Sequence, residues 1–144
     1  MDDRIFMEEA LKLAKEAAAD GEVPVGCVIV RNDQIVGRGR NRRETQKTAL
    51  GHAEIEAIGD ACANLGGWRL WDCTLYVTLE PCPMCAGALA WSQIGKVVYG
   101  ASDPKRGFSR FSPSLMHPKT EIVSGIMADE CGNIVSEFFQ NKRR

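Results

Sequence analysis

Cys82 and Cys85 stand a helical turn apart in Leu79-Glu80-Pro81-Cys82-Pro83-Met84-Cys85, and His52-Ala53-Glu54 lies upstream of them. Two thiolates at i and i+3 share one face of a helical turn, and an imidazole from a separate segment completes a triangle of metal donors. A structural zinc is normally closed by four protein ligands, whereas a hydrolytic zinc keeps one tetrahedral position for water. With three donors, this set predicts a hydrolytic centre that lowers the pKa of a bound water towards neutrality. Glu54 is not needed as a ligand. On the first turn of a helix it reaches the open position and can carry protons there. A C-x-x-C by itself is equally a redox pair or two buried thiols; the His-x-Glu upstream and the Leu-Glu-Pro lead-in turn the reading towards a metal.

Secondary structure must bring these segments together. Phe6, Ala10, Leu13, Ala14 and Ala17 recur at helical spacing, which predicts a helix over residues 3–20 with Gly21 as its stop. Residues 25–30 and 34–39 read as a β-hairpin turning at Arg31-Asn32-Asp33, because Asn and Asp tolerate the positive φ of a tight turn. A polar loop over 42–47 leads to a helix over 48–63, so that His52 and Glu54 lie near its start, where the helix dipole favours anionic groups. A strand over 75–78 runs into the thiolate segment, which opens a helix continuing over 86–94, and 96–100 is the next strand. Strand, helix, strand at this spacing predicts a right-handed crossover between parallel strands, with the metal at their C-terminal ends. Residues 121–124 add a final strand, and 128–143 a terminal helix with the stripe Cys131, Ile134, Val135, Phe138 and Phe139.

At 144 residues and 44% hydrophobic content, the chain is expected to form one domain, 1–144, able to bury a core without disulfide staples. A net charge of -1 argues against a wholesale electrostatic grip on nucleic acid. Three local basic groups could still meet phosphates: Arg40, Arg42 and Arg43; Lys105, Arg106 and Arg110; Lys142, Arg143 and Arg144. No apolar run approaches a membrane span and Met1-Asp2-Asp3-Arg4 does not open a secretory signal, so a cytoplasmic protein is expected. Cys27, Cys62, Cys73 and Cys131 are then free thiols that pack like small hydrophobes. Phe108 and Phe111 either stack on a base or pack their loop, and His117 is either a ligand contact or a plain loop residue. Trp68 and Trp91 are expected in the core or at a subunit interface. Asn41 is a candidate base contact, since an amide both donates and accepts.

His-x-Glu followed by Pro-Cys-x-x-Cys is the signature of zinc nucleobase deaminases. The chain resembles the cytidine-deaminase-like superfamily and, within it, the bacterial tRNA-specific adenosine deaminases. The likeness runs through Glu22-Val23-Pro24-Val25-Gly26, Gly39-Arg40-Asn41-Arg42, His52-Ala53-Glu54-Ile55, Trp68-Arg69-Leu70, Leu75 to Cys82, Met84-Cys85-Ala86-Gly87-Ala88, and Asp129-Glu130-Cys131. It implies an α/β protein of three layers, α/β/α, with a five-stranded mixed sheet, forming a homodimer with active sites near the interface and one Zn²⁺ per subunit. It further implies His52, Cys82 and Cys85 as ligands, Glu54 as proton shuttle, Asn41 as a base contact, and the backbone near Val25, Gly26 and Ala53 as a base-holding wall. The implied reaction converts the wobble adenosine (A34) of a tRNA anticodon stem-loop to inosine. Residues 104–119 depart from the pattern of those enzymes, which usually have a longer loop with an Asn-His-Arg run. A rebuilt loop could instead close around a free base or nucleoside, guanine or cytosine being examples. A third reading, a non-catalytic zinc-stabilised RNA-binding protein, leaves Glu54 without a purpose.

Overall fold

Alternation along Cys27-Val28-Ile29-Val30 divides the core in two, because successive side chains of a strand point to opposite faces of its sheet. The computed structural model describes residues 2–111 and 114–142. Its strands are β1 (Gly26–Arg31), β2 (Gln34–Arg40), β3 (Thr74–Leu79), β4 (Lys96–Ala101) and β5 (Glu121–Ser124), in the order β2-β1-β3-β4-β5. β1 is antiparallel to both neighbours, whereas β3, β4 and β5 run parallel. On one face Cys27, Ile29, Leu75, Val77, Val97 and Tyr99 meet Ala53, Ala57 and Ala61 of α3 (Ala53–Leu65) and Ala86 and Leu89 of α4 (Pro83–Ser92). On the other, Val28, Val30, Tyr76 and Val98 meet Phe6, Met7, Ala10 and Leu11 of α1 (Asp3–Ala19) and Cys131 of α5 (Ala128–Lys142). The result is the expected α/β/α sandwich around a five-stranded mixed sheet. Asn32 and Asp33 turn the hairpin with φ of 51° and 61°.

Several boundaries differ from the sequence expectation. The helix expected from 48 begins at Ala53, with His52 as its extended N-cap (φ -92°, ψ 149°). The polar loop before it holds a short helix, α2 (Arg43–Gln46), whose amides at Glu44 and Thr45 donate to the buried Glu22 carboxylate at 3.2 and 2.7 Å. That cap comes from a distant segment, so local sequence carries no trace of it. Burial pushes the Glu22 carboxyl up, but the Thr45 and Glu44 amides outweigh it and hold it below its ordinary value. A 3₁₀ turn at Phe108–Arg110 interrupts the long loop after β4. In α5 only Cys131 of the expected stripe is buried, and Phe139 is exposed. Residue 143, the expected helix end, and Arg144 lie outside the described residues. Trp68 and Trp91 are 52% and 82% exposed, which removes them from the core. All six cysteines are free, as expected. Among the described residues no helix is long and apolar enough to cross a membrane.

Two close approaches, at Gly37 and Gly39 of β2, set the height of α3 over the sheet. A Cβ on Gly39 of β2 would overlap the Ala53 carbonyl oxygen and lie 2.7 Å from the Ala57 nitrogen, both backbone atoms of α3. Neither can yield without moving the helix start that carries His52 and Glu54. Gly39→Ala is therefore expected to lower stability by about 1–3 kcal/mol in urea unfolding. Gly59→Ala, in the same helix with open space around its Cβ, is expected to raise stability by up to about 1 kcal/mol.

Candidate metal centre

β2 and β3 flank β1, and both run antiparallel to it, so they point the same way. Their C-terminal ends, and the start of β1, lie at one edge of the sheet. β2 runs out at Arg40 towards Asn41 and then His52, and β3 runs out at Leu79 towards Cys82. Each segment then enters a helix, α3 or α4, at its N-terminus. Pro83 explains the local geometry at the first thiolate. A residue before proline is restricted to extended backbone, as Cys82 is (φ -74°, ψ 170°), and proline is pre-organised for the first helical position. Cys82 thus becomes the N-cap, with Cys85 one turn on and fully buried.

The three donors converge. His52 Nδ1 lies 3.6 Å from Cys82 Sγ and 3.5 Å from Cys85 Sγ. All three donor atoms fall within 4.8 Å of one another. A tetrahedral zinc with ordinary Zn–S and Zn–N bonds would hold nitrogen and sulfur about 3.6 Å apart, so the spacing fits the ion and assigns Nδ1 as the donor nitrogen. Two helix N-termini aimed at the cluster add partial positive charge where thiolates must be stabilised.

Electrostatics agree with that geometry. Hydrogen bonding from the Cys85 thiol, with help from His52, holds the Cys82 thiol down at about 4, against the opposing effect of burial. Cys85 is pushed up, first by that same bond to Cys82 and then by burial, so the pair carries one negative charge before two. His52 is raised by its bond to Cys82. Glu54, 3% exposed, is raised to about 7, mainly by burial, with its own backbone N–H opposing and the Cys82 thiolate reinforcing. A cation at the cluster would favour the carboxylate form again.

The remaining predicted residues ring the same sheet edge. Asn41 is buried, and its Oδ1 accepts from the Ala53 N–H at 3.0 Å, capping α3 and leaving Nδ2 without a partner among the described residues. The Asn41 N–H donates to the Val25 carbonyl at 3.2 Å, and the Gly26 N–H to Thr78 Oγ1 at 3.2 Å. Asn41, Val25, Gly26 and Ala53 are thus tied into one wall by their own hydrogen bonds. Sequence reasoning missed Thr78, Glu22 and Glu80, all buried polar residues. A polar or acidic residue inside an apolar run, as in Val77-Thr78-Leu79-Glu80-Pro81, was the available signal.

The basic groups are less free than the sequence implied. Arg40 pairs with Asp20 at 3.1 Å, Arg42 forks onto Glu56 at 2.8 and 3.0 Å, and Lys142 sits over the Phe138 ring. Arg43, Lys105 and Arg106 are exposed; Arg143 and Arg144 lie outside the described residues. Phe108 is buried edge-on against Tyr99, with centroids 5.9 Å apart, while Phe111 is exposed. His117 Nδ1 accepts from the Lys119 N–H at 3.1 Å, a turn contact that accounts for the residue.

Residues 1–101 match the family model described as the cytidine and deoxycytidylate deaminase zinc-binding region. The chain belongs to this family of zinc-binding deaminases. Among its relatives, the tRNA-specific adenosine deaminase of Bacillus subtilis (strain 168) is 48% identical over 99% of this chain and 91% of its own length. A solved structure from a study of A-to-I editing by tRNA:A34 deaminases superposes with a TM-score of 0.84 at 39% identity, covering 90% of this chain and 97% of that one. A guanine deaminase structure from Bacillus subtilis gives 0.67 at 40% identity, covering 71% and 66%.

Cys82→Ala and Cys85→Ala are each expected to lose most of the zinc and to melt earlier than the parent, since the donors tie two helix starts together. Full zinc in either variant, read by elemental analysis, would exclude that cysteine from the donor set.

Proposed function

We propose that this protein is a hydrolytic zinc deaminase of tRNA that converts A34 to inosine, with His52, Cys82 and Cys85 as ligands and Glu54 as proton shuttle. The observation that carries it is a three-donor cluster with a buried, non-ligating carboxylate, in a chain aligned almost end to end with a tRNA-specific adenosine deaminase. That alignment runs through the loop after β4, and it favours RNA over a free base. The likeness to the guanine deaminase is shorter. One domain over residues 1–144 and a cytoplasmic location belong to the same proposal.

Bound zinc supplies a Lewis acid and a water acidified to near neutrality. The chain does the rest. With zinc held by His52, Cys82 and Cys85, Glu54 would take a proton from a water whose oxygen adds to the amino-bearing ring carbon, and would deliver that proton to the adjacent ring nitrogen. It then passes the second water proton to the amine, the C–N bond breaks, ammonia leaves, and the carbonyl of inosine remains. A bound cation would favour the carboxylate when Glu54 acts as base, and burial favours the acid when it must donate. Asn41 Nδ2 can donate to the base, held in direction by its Oδ1 bond to Ala53.

A homodimer is the finer part of the proposal. Met84, Gly87, Ala88 and Trp91 follow one another at i, i+3, i+4 and i+7 along α4, opposite the buried Cys85 and Leu89. A helix apolar all round is a helix with two partners. A second copy supplies the second partner, beside the start of the helix that holds both thiolates.

Glu54→Ala is expected to keep its zinc while losing at least about a hundredfold in turnover; undiminished ammonia release would remove Glu54 from the mechanism. In a parallel ammonia-release screen of anticodon stem-loops, free bases and nucleosides, inosine is expected at A34, and activity confined to small molecules would overturn the substrate reading. Trp91→Glu is expected to yield a zinc-loaded monomer in sedimentation, where the parent is a dimer.

A further inference from the structure

Glu80 is 4% exposed, and no step of the proposed reaction uses it. It follows β3 and stands two residues before the first thiolate. Its backbone N–H continues the sheet pairing to the Ala101 carbonyl at 2.9 Å. Its side chain turns to the loop leaving β4: Oε1 accepts from the Asp103 N–H at 3.0 Å and Oε2 from the Ser109 N–H at 2.9 Å. The two oxygens of one carboxylate therefore hold the two ends of the same loop. Such charge-assisted bonds are stronger than neutral ones, and a buried carboxylate is tolerated only when it is satisfied in this way.

The interior of the loop is folded around that anchor. Asp103 Oδ1 accepts from the Lys105 and Arg106 amides at 3.1 and 3.0 Å, and the Asp103 carbonyl takes the Gly107 N–H at 2.9 Å. Phe108 donates its N–H to the Pro81 carbonyl at 2.9 Å, beside Cys82. A Cβ on Gly107 would overlap Glu80 Oε2 and lie 2.6 Å from the Asp103 carbonyl oxygen, so glycine lets the loop close on the carboxylate. What this fold leaves outside is the pair of exposed cations, Lys105 and Arg106.

We infer that Glu80 is a positioning residue for the RNA substrate: its buried carboxylate locks the Asp103–Ser109 loop to the turn bearing Cys82, holding Lys105 and Arg106 ready for the phosphates next to the target base. The inference rests on the proposed RNA reading. A loop ordered in advance does not lose that freedom on binding, so the effect falls on substrate affinity. Chemistry at the metal is untouched.

Glu80→Gln tests this in the zinc-loaded protein, since the isosteric amide sets an NH₂ against a backbone N–H and breaks one of the two bonds. Gly107→Ala disturbs the same contact from the loop side and leaves the carboxylate in place. Both variants are expected to hold zinc as the parent does and to raise KM for an A34 stem-loop about tenfold, with kcat within about twofold. Both should also speed amide hydrogen exchange across 103–109 without RNA. An unchanged KM in both variants overturns the inference, as does a fall in kcat that tracks zinc loss. If the parent deaminates no stem-loop but does deaminate a free base, the substrate reading fails instead. Hydrogen exchange then still reports whether the carboxylate holds the loop, and unchanged exchange sinks that part too.

Discussion

Two sulfur atoms, an imidazole and a carboxyl group crowded at one half-buried point of a protein are unstable company unless positive charge joins them. Burying a thiolate or carboxylate without a partner is among the larger penalties a fold can incur. Here the compensation comes from the starts of α3 and α4, whose positive dipole ends lie beside the donors, and from the cation that their spacing fits. The need to bring two helix starts to one point explains features that look unrelated along the chain. Gly39 lets α3 lie close to β2, Pro83 turns the chain at Cys82, and Asn41 caps the helix that His52 introduces.

The sheet makes that convergence possible. Because β2 and β3 flank β1 and run the same way, segments distant in sequence leave the sheet at the same edge. The start of β1 lies there too, which puts Val25 and Gly26 beside Asn41 and Thr78. The parallel pair β3 and β4 contributes the loop after β4 to that edge as well. A functional site at the carboxyl ends of parallel strands is the expected outcome of such wiring.

Buried carboxylates recur with different duties around this edge. Glu54 is buried with its proton affinity raised, suited to exchanging protons. Glu22 is saturated by backbone amides and held ionised, and it caps a helix that has no cap of its own. Glu80 accepts from both ends of one loop. The same functional group serves chemistry in one case and architecture in the others, and the number of backbone donors facing it separates the two.

His-x-Glu and Pro-Cys-x-x-Cys were legible in the sequence because a metal centre constrains residue type and short-range spacing together, and both can be read locally. The strands were legible for the same reason: Val25 to Val30 and Leu75 to Thr78 are short β-rich runs, unbroken because both faces of the sheet are buried. Only the tertiary structure decided that α3 starts at Ala53 instead of Thr48, since the polar stretch before it folds as α2 on the Glu22 carboxylate, between α1 and β1. It likewise decided which arginines are already paired, that Trp91 faces outward, and that Glu80 holds a loop. The division has a physical cause. Periodicity and metal spacing are written within a few turns of chain, while caps, ion pairs and buried carboxylates depend on partners that meet only once the sheet has ordered its strands.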